Sequence, residues 1–306
     1  MTKLAPIILF VWNRPWHTQK TVEALKRNDL AKDSNLFIFS DGPDAGGEER
    51  VKNVKKYLKT IKGFGKVTII ERENHLGLAN SIIGGVTEII NDYGKVIVME
   101  DDLVSSSSFL IYMNKLLDYY EKEKKIFGIS GYNHPQSLMK IPSDYKADIY
   151  FNPRAGSWGW ATWKDRWEKA DWIVMDYADF RKNAKIRKCF NDGGEDMSEM
   201  LDAQMQGKID SWAIRWSYAV FKNKGAYVYP ANSYIDNIGM DGSGMHCGNS
   251  TNNIYKNNYL NGKKELGFPD KIIVDKRVMK NFRKVYKKSI LKPYIAKLLL
   301  KILKNK

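Results

Sequence analysis

The sequence predicts an α/β fold in which a mainly parallel sheet carries helices on both faces. Two observations predict it. Short apolar runs rich in strand formers alternate with segments of helical period through the first 130 residues, and the loops that follow those runs are polar and specific. At 306 residues, 43% of them hydrophobic, the chain can bury a core of the size such a sheet needs.

Residues 6–12, Pro-Ile-Ile-Leu-Phe-Val-Trp, read as the first strand, and 18–26 switch to helical spacing with Val22 and Leu25 apolar. A second strand over 36–39 runs into the turn Ser40-Asp41-Gly42-Pro43. Residues 48–61 then give a charged amphipathic helix with Val51, Val54, Leu58 and Ile61 on its apolar face. The pattern repeats as a strand over 67–70, a helix over 77–93 and a strand over 96–99 that ends in Glu100-Asp101-Asp102. A helix from about 107 to 124 and a strand over 126–130 complete the alternation. Beyond Ser130 the chain is aromatic and loop-rich, without a change of composition that would mark a linker. One catalytic domain is therefore expected over 1–268, followed by a basic amphipathic tail over 269–306.

The net charge of +15 is concentrated in that tail. Residues 276–306 hold twelve Lys/Arg and no Asp/Glu, so the remainder carries 15 − 12 = +3. No basic face suited to a phosphate backbone and no nucleic-acid motif is present, so no nucleic-acid partner is expected. Leu291, Ile295, Leu298, Leu299 and Ile302 fall on one helical face, with Lys297, Lys301 and Lys304 elsewhere. Basic amphipathic helices of this kind lie in anionic membrane interfaces, which leads us to expect peripheral attachment to the inner face of the plasma membrane. No run of about 18 apolar residues encodes a membrane span or a signal peptide, which makes the expected compartment the cytoplasm. Cys189 and Cys247 have neither a disulfide framework nor paired zinc spacing and read as free thiols.

Sheets of this type bind ligands where the loops leave the carboxyl ends of their strands. Those loops hold Asn13-Arg14, Asp41-Gly42, Asn74-His75 and Glu100-Asp101-Asp102. Three crowded carboxylates after an apolar strand favour a hard cation, which takes oxygen ligands from one or two carboxylates, water and phosphate. Arg14 can contact phosphate or carboxylate in bidentate fashion. No glycine-rich phosphate loop follows the first strand, which disfavours a kinase or a dinucleotide-dependent dehydrogenase. Five of the nine tryptophans lie between 158 and 172, and Trp163 and Trp167, four apart, are expected to pack on one helical face. Trp158 and Trp160 could pack or meet a sugar face. Asp210, in Ile-Asp-Ser-Trp, reads either as a general base whose proton affinity is raised by aromatic surroundings or as the N-cap of a helix with Trp212 and Trp216 turned to the core. The stretch 236–248 has four glycines in thirteen residues and reads as a mobile loop carrying Ser243 and His246.

With these residues in view, the chain resembles the nucleotide-sugar-dependent glycosyltransferases of the GT-A fold. The resemblance covers roughly 5–250 and is to bacterial polysaccharide-assembly transferases and to N-acetylglucosaminyltransferase I-type enzymes. Its most specific element is Val98-Met-Glu-Asp-Asp-Leu103, which looks like that group's version of the DXD motif. The resemblance implies a three-layer α/β/α sandwich with a mainly parallel mixed sheet, and a metal, Mn²⁺ or Mg²⁺, held by Asp102. It implies Glu100 and Asp101 against the nucleotide sugar, Arg14 and Asp41 on the nucleotide, and His75 on the base. Asp210 matches the catalytic base, with the Glu195-Asp196 pair as the alternative, and Ser243 and His246 match a segment closing over the donor. The implied reaction inverts the anomeric centre, with a UDP-sugar favoured as donor and a glycan or lipid-linked acceptor in cell-surface polysaccharide or glycolipid assembly. Two other readings stay open: a sugar-phosphate nucleotidyltransferase, and a non-catalytic membrane-surface scaffold of the same shape.

Overall fold

A computed structural model describes residues 3–243 and 253–287. The first half alternates as expected: β1 (Ile7–Val11), α1 (Pro15–Lys26), β2 (Asn35–Ser40), α2 (Glu48–Leu58), β3 (Lys66–Glu71), α3 (Leu78–Tyr93) and β4 (Lys95–Glu100). It continues through β5 (Leu103–Ser105), α4 (Phe109–Tyr119), β6 (Ile126–Ser130), β7 (Ile149–Asn152), β8 (Trp160–Trp163) and α5 (Lys164–Trp167). The helices α6 (Tyr177–Lys182), α7 (Ala184–Phe190), α8 (Met197–Met205) and α9 (Trp212–Lys222) follow. β9 (Ala226–Pro230), β10 (Ile235–Asn237) and α10 (Lys276–Val285) close the order.

Eight strands form one sheet in the order β3-β2-β1-β4-β8-β6-β9-β7. The first four are parallel, in register Ile7↔Leu36 and Ile7↔Ile97, whereas β8 enters antiparallel beside β4, with Val98 opposite Trp160. The expected mainly parallel mixed sheet is thus present. Every residue of β1 is buried, as a strand covered on both faces requires. Ile7, Leu9 and Val11 pack with residues of α1, α2 and α4, while Ile8 and Phe10 pack with residues of α3, α9 and α10. Those are the two helical layers.

Several expectations are corrected. Trp163 ends β8 and Trp167 ends α5, so the two rings pack in opposite layers rather than on one helical face, because the chain changes from extended to helical between them. Trp160 is core as well, stacked between Trp167 and Trp212. Helix α4 stops at Tyr119, short of 124. The buried Arg166 guanidinium donates to the carbonyls of Tyr120, Glu121 and Glu123, giving the freed groups partners that a further turn of helix would have used. Part of the glycine-rich stretch is strand β10, paired antiparallel with β5. Within 269–306, α10 buries Val278, Met279, Phe282 and Val285 in the same layer as α3 and α9, so this part packs as core; the apolar stripe from Leu291 to Ile302 lies outside the described residues. Cys189 is a free, exposed thiol, and Cys247 is likewise outside the described residues.

Candidate active site

The carboxyl ends of β1, β2 and β4 open into a cavity of about 510 Å³. Arg14, Asp41, His75, Glu100, Asp101, Asp102, Asp210 and Ser243, all chosen from the sequence, line this one cavity. His246 lies outside the described residues.

Arg14 owes its place to its neighbour. Pro15 occupies the first turn of α1, where its missing N–H costs nothing, and the residue before a proline is pushed out of helical conformation. Arg14 therefore sits at φ −118°, ψ 77°, in the short loop between β1 and α1, and β1 pairs with β4 so that Phe10 faces Glu100. Its Nη2 donates to Asp101 Oδ1 and, at 3.0 Å, to Asp102 Oδ2; its Nη1 is buried without a hydrogen-bond partner. Burial alone would make the guanidinium easier to deprotonate, but Asp101 and Asp102 outweigh it and hold the charge. Burial pushes the Asp101 carboxyl up against the pull of Arg14. Glu100 keeps some opening to the cavity, yet burial, with Asp102 and Asp101 beside it, pushes its carboxyl up to about 8.

The acidic turn is fixed from behind. Thr21 Oγ1 donates to the carbonyl of Asp101, and the Ile238 N–H donates to that of Asp102 at 2.9 Å. A Cβ on Gly239, two residues past β10, would lie 2.0 Å from Asp102 Oδ2, so a side chain there would force the carboxylate or the backbone to shift. Among the described residues no group of three or more His, Cys, Asp or Glu is arranged as a complete metal cage. One or two carboxylates beside an orphaned guanidinium N–H fit a hard cation whose other ligands are water and phosphate, and this is the donor set that the site provides.

Asp41 does not present a free carboxylate. Oδ1 accepts the Leu76 N–H at 3.0 Å, Oδ2 accepts the Gly77 N–H at 3.2 Å, and His75 Nδ1 lies 2.8 Å from Oδ2. Gly77, at φ 78°, supplies the backbone that aims both N–H groups inward. The His75 ring stacks on Trp12, 4.5 Å between centroids, and the Trp12 indole N–H donates to Gly42 O. Asp210 Oδ2 accepts the Ala79 N–H at 3.2 Å in the first turn of α3, where the helix dipole favours an anion. Ser211, not Asp210, caps α9, and Trp212 and Trp216 face the core. The alternative base is committed elsewhere: Asp196 makes a bidentate pair with Arg154, two contacts of 2.8 Å, while Glu195 is exposed, and neither lines the cavity.

Sequence reasoning missed several contributors. Trp12 is one. His17 on α1 is another, its Nε2 3.0 Å from Asp241 Oδ2, while Asp241 also accepts the Ser243 N–H and hydroxyl. At the far end of the cavity stand Tyr132, His134, Trp158, Tyr229 and Tyr286, with the Arg154 guanidinium 3.9 Å from the Tyr286 ring centroid. Only Trp158 carried a signal, as one of the clustered tryptophans.

No family model matches the chain, and no curated protein is similar to it. Among solved structures it is similar to the mannosyltransferase PcManGT from Pyrobaculum calidifontis, solved with GDP-Man and Mn²⁺, at 10% identity over 72% of this chain and 74% of that one, TM-score 0.40. The galactosyltransferase LgtC, solved with donor and acceptor sugar analogues, matches at 11% identity over 72% of each chain, TM-score 0.40. Mouse xyloside xylosyltransferase 1 matches at 9% identity over 73% of this chain and 83% of that one, TM-score 0.37. Likeness at this level is loose, and it does not say what the cavity here binds.

Proposed function

We propose that the chain is a glycosyltransferase that moves a sugar from a nucleoside diphosphate to an acceptor hydroxyl with inversion at the anomeric carbon. The observation that carries this reading is the convergence of Arg14, the Glu100–Asp102 carboxylates, His75 and Asp210 on one cavity at the carboxyl ends of parallel strands. The Trp12–His75 stack offers a flat surface for a base, with UDP the favoured nucleotide. Arg14 has a donor to spare for a phosphate oxygen. Asp102, with Asp101 beside it, would hold Mn²⁺ or Mg²⁺, which when bound neutralises charge on the diphosphate leaving group. Asp210 accepts the acceptor's hydroxyl proton as that oxygen bonds to the anomeric carbon, while the bond from that carbon to the diphosphate oxygen breaks and its electron pair leaves with the nucleotide. The aromatic far end suits the flat faces of a glycan acceptor.

The test is a melting-temperature screen of nucleotide sugars with Mn²⁺, followed by donor turnover with and without EDTA. A preferred donor should raise the melting temperature, chelation should stop turnover, and Asp102→Ala should abolish both. Turnover that survives EDTA refutes the part given to the metal, and no donor that stabilises overturns the reading whole, which is the result a non-catalytic scaffold would give.

The setting that we propose is cell-surface polysaccharide or glycolipid assembly at the cytoplasmic leaflet. No helix among the described residues is long and apolar enough to cross a membrane. Ile273 is 65% exposed, flanked by Ile272 and Val274, and precedes the exposed Lys276, Lys280 and Lys284 of α10. An apolar edge beside unopposed positive charge suits an anionic lipid surface. Reversing Lys276, Lys280 and Lys284 to Glu should reduce co-sedimentation with phosphatidylglycerol vesicles, and unchanged sedimentation refutes the setting.

A further inference from the structure

One guanidinium answers two carboxylates at the mouth of this cavity. A single nitrogen, Arg14 Nη2, donates to both Asp101 and Asp102, and the other terminal nitrogen, Nη1, is buried with no hydrogen-bond partner. Both features are costly where they stand. A buried N–H without an acceptor forfeits a hydrogen bond that water would have given it, and two buried carboxylates against one positive charge leave a net negative site. Each imbalance is the complement of one missing group: an anion near Nη1 and a further positive charge near Asp102.

We propose that Arg14 is the resident counter-ion of the acidic turn and changes partners when ligands bind. It holds Asp101 and Asp102 in the free protein, then passes to the diphosphate as a divalent cation takes its place at the carboxylates. This rests on the donor and metal reading given above and goes beyond it, because it makes Arg14 the residue that couples the two ligands. A cation binding alone must displace a guanidinium that then has no anion. A diphosphate binding alone must draw Arg14 from two carboxylates that then have no cation. Bound together, each ligand satisfies what the other leaves open, so each raises the other's affinity by the same factor.

The test is Mn²⁺ binding to the full chain, read by the electron paramagnetic resonance of free Mn²⁺, with and without UDP or GDP. Wild type should bind Mn²⁺ weakly alone and about tenfold or more tightly with the nucleotide, within the 5–150-fold range usual for coupled sites. Arg14→Met should bind Mn²⁺ alone more tightly than wild type, and its gain from nucleotide should be smaller than that of wild type, because only direct ligation by phosphate then couples the two ligands. Arg14→Met binding free Mn²⁺ no more tightly than wild type, or keeping the full gain from nucleotide, overturns the proposal and leaves the transferase reading standing. Wild type that binds Mn²⁺ neither alone nor with nucleotide overturns both. If Arg14→Met folds poorly, Mn²⁺ without nucleotide should raise its melting temperature more than it raises that of wild type; equal shifts count against Arg14. Arg14→Lys, which retains the charge but has one nitrogen to share, should fall between the two in nucleotide gain.

Discussion

Asp41 and Asp210 present the same functional group to the same cavity, and their hydrogen bonds separate what they can do. Both oxygens of Asp41 accept N–H groups, from Leu76 and Gly77, with His75 against one of them, so Asp41 orders the loop beside the cavity that it lines. Asn at 41 keeps one acceptor and turns an N–H₂ toward backbone donors. We expect the donor KM to rise about tenfold or more, as the loss of a hydrogen bond to a charged group costs about 1.5–3 kcal/mol, with kcat changed much less. Asp210 has one backbone partner and retains a lone pair toward the cavity. Asp210→Asn should lower transfer by about 10²–10⁴-fold while the melting shift produced by donor nucleotide stays as in wild type. Should Asp210→Asn transfer at the wild-type rate, another group takes the proton.

At the scale of elements, the first half was legible because each parallel strand is an apolar run followed by a helical period, and the polar loops after those runs hold Arg14, Asp41, His75 and the acidic turn. The second half was not. β8 is four residues long and its insertion beside β4 is fixed by a partner more than sixty positions away, while β5 and β10 have three residues each and form only against one another. The Arg154–Asp196 pair, the His17–Asp241 contact and Tyr286 are likewise set by pairings across the fold, for which no local period exists. The segment that leaves the β5–β10 ribbon carries a prediction of its own. Gly239→Ala places a methyl group where the Asp102 carboxylate lies, so the ribbon or the carboxylate must shift. Mn²⁺ affinity in the presence of nucleotide should fall by about an order of magnitude, since a displacement near 1 Å in a positioned site costs up to about 10²-fold. An unchanged affinity would show that the ribbon yields at no cost.

Across the whole molecule, the far wall of the cavity has a charge state worth testing. Burial, with Arg154 nearby, lowers the His134 imidazole from its ordinary 6.5 to about 3. The unfolded chain therefore takes up a proton at this residue near pH 6.5 that the folded chain refuses until about 3, and stability falls as pH drops through that window. Glu100 acts in the opposite sense, since its folded value lies above its unfolded one, but it is common to wild type and to any variant at 134. Between pH 6.5 and 5 the stability of His134→Asn should thus decline less steeply than that of wild type, by up to about 1.4 kcal/mol per pH unit, read from urea midpoints. Parallel slopes would mean that the ring takes up a proton inside the fold.

The cavity also gathers its walls from the full span of the described chain, from Phe10 to Tyr286. Ala79 meets Asp210 across 131 positions, and His134 meets Tyr286 across 152. Contacts so distant in sequence are rewarded only after long loops have closed, which makes them late events in folding. A refolding molecule should therefore recover its secondary structure before the walls of the cavity meet, and the interval between the two is time in which the sheet exists without its pocket.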